Sequence, residues 1–120
     1  MVTEKPGKAL DVEVALAHVG DDRELLSELA AMFVQDYPRL IHEASEAILQ
    51  QDHAVLERAA HTLKGRLAFF GVAGLKGRLA ELERMGREQD LNQASERLNE
   101  IKDQMTTVLL EFEPLMHAQS

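Results

Sequence analysis

Apolar residues in this chain recur at intervals of three and four over stretches too long to be strands. Leu91, Ala94, Leu98, Ile101, Met105, Val108 and Phe112 form one such series, which marks a helix that buries a single stripe. A second runs through Leu25, Leu29, Met32 and Phe33 to Leu40, Ile41, Ala44 and Ile48. Leu56, Ala59, Leu63, Leu67 and Phe70 make a third, and Leu75, Leu79, Leu82 and Met85 a fourth. No stretch alternates with a period of two, so helices packed against helices are the expected arrangement.

Boundary signals divide the helices. Asp11 is placed as the N-cap of a short helix that ends near Gly20. Asp21 and Glu24 have capping-box spacing at the head of the long second helix, in which Pro38 predicts a kink or an interruption. Asp52 can cap a helix from His53 to about Phe70, after which Gly71 and Gly74 punctuate the chain. A further helix fits residues 75–89, with Gly86 weakening its end, and Asp90 with Gln93 predicts the start of the last. Connections this short favour antiparallel neighbours. The expected fold is all-α: an up-and-down antiparallel four-helix bundle with a short extra N-terminal helix over residues 11–117, preceded by a flexible arm over 1–10.

Composition narrows the function. The 120 residues suit one domain. With no cysteine there is no disulfide, thiol chemistry or Cys-ligated zinc. No secretory h-region opens the chain and no apolar run approaches the ~20 residues that span a bilayer, so a soluble cytoplasmic protein without a membrane partner is expected. A net charge of −8 argues against nucleic acid as a partner. The charge is uneven: residues 58–87 hold seven basic and two acidic side chains, and both flanks are net acidic. Such a segment can steer an acidic partner or hold a phosphate, or can be a solvated mixed face. Walker, GxGxxG, HExxH and GxSxG motifs are absent from the sequence, so no recognised loop binds ATP.

The basic segment begins with "RAAHTLKGRLAFFGVAGL", residues 58–75, in which His61 interrupts an amphipathic pattern. At about 100° per residue, the leucine stripe falls opposite His61, and Glu57, Arg58, Lys64, Gly65 and Ala68 fall within about 60° of it. His61 is therefore expected to face outward rather than into the core. A metal site would want His, Asp or Glu at i+3 or i+4, where Lys64 and Gly65 stand. His18, His42, His53 and His117 have no convergent partners in the sequence, so no metal is expected. Lys64 is one turn away, within reach of an anion on the imidazole. Gly65 costs a helix interior roughly 1 kcal/mol relative to Ala, but it clears the ring for a large partner. This combination suits an exposed imidazole that carries a phosphoryl group; the alternative is a solvent-exposed histidine without a role.

These residues resemble the histidine-containing phosphotransfer (HPt) domains of bacterial two-component phosphorelays. The family pattern is met at His61, Lys64, Gly65, Phe70, Gly71, Leu75, Leu82 and Glu83. Arg66, Leu67 and Phe69 depart from it, standing where small or polar residues, and often Asn, are usual. The resemblance implies that His61 accepts a phosphoryl group from a receiver-domain aspartyl phosphate and passes it to another receiver, with Lys64 steadying the phosphoryl oxygens and Gly65 permitting docking. It implies receiver domains and a hybrid histidine kinase as partners, Mg²⁺ on the receiver, no cofactor of the domain's own, and a phosphocarrier, expected to be monomeric, rather than an autonomous kinase. The expected docking surface joins Arg58, Ala68 and Phe69 to Tyr37 and Ile41 on the neighbouring helix; for Phe69, packing at the helix end is the equal alternative. The competing function is a helical adaptor that binds a receiver or kinase without carrying phosphate.

Overall fold

The computed structural model describes residues 9–117, which form five helices and, among these residues, no strand. They are α1 (Val12–His18), α2 (Arg23–Gln50), α3 (His53–Phe69), α4 (Lys76–Glu88) and α5 (Ala94–Met116). Helix α2 packs on α3 and α5, and α4 packs on the same two, so the four long helices close a ring in chain order. Short α1 lies against α2 and α3. The expected four-helix bundle with its extra helix is thus the observed architecture.

The caps explain why the helices start where they do. Asp11 accepts bonds from the amides of Glu13 and Val14, and Asp52 from that of Val55. At the head of α2 the cap is Asp22, which bonds the Leu25 amide. Asp21, expected there, has φ 62°, a left-handed conformation that an N-cap does not adopt. Helix α5 also begins later than its pattern predicts. Asp90 closes α4 instead, its amide bonding the Met85 carbonyl after Gln89 takes φ 59°, as in a Schellman ending. Pro38 does not interrupt α2, which runs unbroken through it. The proline is exposed, so the Val34 carbonyl deprived of its i+4 amide can turn to water.

The core follows the sequence stripes closely in α3, α4 and α5, where Leu56, Leu63, Leu67, Leu79, Leu82, Ile101, Met105 and Phe112 are buried. In α2 the buried face is rotated. Leu26, Ala30, Phe33, Leu40 and Ala44 are inside, whereas Leu25 and Met32 are 39% and 61% exposed. All four phenylalanines and Tyr37 gather in one cluster: Phe33 stacks on Phe112 at 5.0 Å, and Phe70 meets Phe112 edge-on at 4.9 Å. Buried Ser27 donates to the Met116 carbonyl, tying the start of α2 to the end of α5.

The domain reaches further towards the N-terminus than expected. The amides of Ala9 and Leu10 bond the Glu111 carboxylate and Leu10 is buried, so these two residues belong to the bundle rather than to an arm. Residues 1–8 of the expected arm lie outside the described residues.

Two glycines permit close approach. A Cβ on Gly71, which has φ +75°, would stand 2.6 Å from the Asp11 Cβ; this lets the turn after α3 seat against the cap of α1. A Cβ on Gly86 would meet the Glu57 nitrogen and the His53 oxygen at 2.8 Å. Gly86 is therefore less a weak helix end than the point where α4 lies directly on the backbone of α3.

Candidate functional site

The α3–α4 contact sets the site. Glu83 is one turn before Gly86, and the approach that Gly86 permits brings its carboxylate across to α3. Glu83 Oε2 lies 2.9 Å from His61 Nδ1, and Lys64 Nζ donates to Oε1 at 2.6 Å. The His61 side chain is 69% exposed, whereas that of Glu83 is only 13% exposed. The imidazole thus stands on the surface with one nitrogen tethered to a nearly buried anion. A carboxylate accepts, so Nδ1 carries the proton in this contact, and in the neutral ring the lone pair then belongs to Nε2. The Lys64 ammonium foremost, with His61 adding to it, holds the Glu83 carboxyl below its usual value against the opposing effect of burial.

The space around the ring is open. Nothing lies within 4 Å of the position a Cβ would take on Gly65, and Arg58 and Ala68 are exposed on the same face. The structure therefore gathers His61, Lys64, Gly65, Arg58 and Ala68 as the wheel places them, with one difference. Lys64 is engaged with Glu83 rather than reaching into solvent.

The outlying docking residues fare differently. Ile41, expected on the docking surface, is 9% exposed and belongs to the core, where it lies with Leu40 and Ala44 of the same apolar stripe. Tyr37 is half-buried against Phe33, and burial pushes its phenol up to about 12. Phe69 does pack at the helix end, stacking on His18 at 4.9 Å and meeting Phe70 edge-on. It is nonetheless partly exposed and lines a groove of about 460 Å³ between α2 and α3. His18 has a convergent partner after all, its Nδ1 lying 2.9 Å from the Phe69 carbonyl oxygen. Arg66 points away from the histidine and donates to Asp36 of α2 at 2.6 Å. Among the described residues, no group of three His, Asp or Glu side chains is placed to hold a metal ion, and no helix is long and apolar enough to cross a membrane.

The helical ring thus carries an exposed histidine tethered to a carboxylate. The family model for the Hpt domain matches residues 28–110, and the chain belongs to that family. Its role is accordingly histidine phosphotransfer in a two-component phosphorelay, in which such proteins interact with receiver or kinase domains. The fold is also that of histidine-containing phosphotransfer protein B (HptB) from Pseudomonas aeruginosa PAO1. The crystal structure of that protein superposes with a TM-score of 0.83 at 23% identity, covering 96% of this chain and 98% of that one. Comparison with curated protein sequences gives no match.

Proposed function

We propose that His61 is the residue that carries the phosphoryl group, taking it from the aspartyl phosphate of one receiver domain and yielding it to the aspartate of another. The observation that carries this reading is the tether. With Nδ1–H held by Glu83, the free lone pair belongs to Nε2, the nitrogen suited to attack.

In the forward step the Nε2 lone pair forms the N–P bond while the P–O bond to the donor aspartate breaks, and the electron pair leaves with that carboxylate. No proton need move. The ring retains Nδ1–H and gains positive charge, which the Glu83 carboxylate stabilises across 2.9 Å, much as a buried aspartate stabilises the imidazolium of a hydrolase triad. In the return step the same Nδ1–H makes the imidazole a neutral leaving group once its N–P bond breaks.

Lys64 has a second anionic partner in this scheme. Its ammonium, one turn from His61 and now on Glu83, can transfer to the phosphoryl oxygens, neutralising charge where transfer demands it. The acidic pocket and Mg²⁺ belong to the receiver, and this domain supplies the nucleophile. A hybrid kinase is the expected source of phosphate, and the carrier is expected to act as a cytoplasmic monomer that is a substrate in each half-reaction.

The test is to incubate the chain with phosphorylated receiver domains and measure acid-labile phosphate. Wild type is expected to become labelled and His61→Gln to remain blank. If His61→Gln takes up as much label as wild type, the nucleophile lies elsewhere. Complex formation without label would leave the adaptor function in its place.

A further inference from the structure

Beside the histidine face, and continuous with it through Gly65, runs the groove between α2 and α3. Its walls are apolar, from Leu29, Met32 and Phe33 on one side and Phe69 on the other, and a single ion pair, Asp36 to Arg66, crosses it. Leu25, Leu29 and Met32 follow one another at i, i+4 and i+7 along α2, extending the apolar lip beyond the groove. Exposed clusters of this kind mark contact surfaces more often than chance placement. A trough between two helices fits a third helix, which can insert apolar side chains at i, i+3 and i+4.

The ion pair is unevenly shared. Asp36 is bonded by Arg66 Nη1 at 2.6 Å and also by Arg39, through Nη2 at 3.1 Å and Nε at 3.4 Å. Both guanidinium groups hold its carboxyl below the usual range. Among the described residues Arg66 bonds Asp36 and no other carboxylate. Were Arg66 to leave, Asp36 would remain paired with Arg39. Were Arg66 offered another carboxylate, its own pairing would be conserved. Arg66 is 42% exposed, so a partner can reach it without unpacking the bundle.

We propose that Arg66 is an exchangeable latch for receiver docking: an Asp or Glu on an amphipathic helix of the receiver replaces Asp36 on Arg66 as the helix's apolar side chains enter the α2–α3 groove. The proposal rests on the reading that His61 serves receivers. The occupant is an acidic partner's helix because the groove offers a cation whose counter-ion is spare, and because the surrounding segment 58–87 is the basic part of an acidic chain. The latch makes Arg66 a specificity-determining residue, since a receiver lacking the carboxylate must bury its helix beside an ion pair it cannot join.

The experiment measures KM and kcat for transfer to this chain from the source organism's receiver domains carrying their aspartyl phosphate. Arg66→Ala should raise KM about fivefold with kcat little changed, the worth of one partly exposed ion pair. Asp36→Asn should lower KM, because it frees the latch, and both effects should fade as salt is raised. The signature is opposite signs together with non-additivity: in the Arg66→Ala background Asp36→Asn should no longer lower KM, whereas independent charge effects would add and would overturn the latch. A purely structural ion pair would move both variants in the same direction or neither, and that result overturns the latch. A dimer of the chain dissociated by Met32→Glu would also overturn it, giving the groove to a second copy. Phosphoramidate, a small donor that needs no docking, separates the two readings. Absence of acid-labile phosphate on wild-type His61 from both phosphoramidate and receivers refutes the carrier assignment itself. Label on His61 with unchanged KM in the variants refutes the latch alone.

Discussion

Glu83 determines what His61 can do, although it is His61 that stands exposed. One carboxylate oxygen fixes the imidazole and the other holds Lys64, so a single residue orients the proposed nucleophile and holds the cation beside it. Glu83→Gln keeps the shape and removes the charge. It is expected to slow phosphoryl transfer to His61 by about tenfold or more, because the tautomer and the cationic product lose their support. The same carboxylate links stability to acidity. Its folded pKa is lowered, so its contribution is present in full above the unfolded value, near 4.5, and is lost as pH falls through the lower folded value. Urea denaturation of wild type and Glu83→Gln should therefore show a stability gap at pH 7 that narrows as pH is taken below about 4.

At the scale of elements, the pairing of α3 with α4 delivers Glu83, and Gly86 permits that pairing. Gly86→Ala gains about 1 kcal/mol of helix propensity but drives a methyl group into the α3 backbone at His53 and Glu57. Overpacking against backbone costs about 1–3 kcal/mol, so the variant should lose stability in urea melts even though Ala favours helix. The sequence carried the outward turn of His61 and the stripes of α3, α4 and α5, because periodicity within one helix is local. It carried no register between helices. Glu83 stood in the family pattern without a role, and Asp36 and Arg66 looked unrelated, because their pairings span 22, 19 and 30 residues of chain. Leu25 and Met32 were misplaced for a related reason: the first half of α2 has apolar residues on two sides, and only its packing partners decide which side is core, whereas Ile41 is buried as its stripe implied and not on the docking surface. The cap shift from Asp21 to Asp22 turned on a left-handed φ that either aspartate could have taken in a turn after Gly20.

At the scale of the molecule, the ring of helices is joined at one end by the aromatic cluster, where Phe112 of α5 is fully buried between Phe33 and Phe70. Phe112→Ala is expected to cost about 3–5 kcal/mol, a large share of the 5–15 kcal/mol typical of a domain, and to appear as a marked fall in thermal midpoint. Ser27 and Glu111 act alongside it, Ser27 fastening Met116 at the end of α5 to α2 and Glu111 fastening Ala9 to α5. The open space over Gly65 has a consequence for timing. With His61 as the proposed carrier, one imidazole on one uncluttered face admits one visitor at a time, so the donor must depart before the acceptor arrives. Exchange through this chain then follows ping-pong kinetics. Under the proposed carrier role, spent donor competes with fresh acceptor for the same face, and the direction of a signal is decided by which receivers are abundant and which of them still hold phosphate.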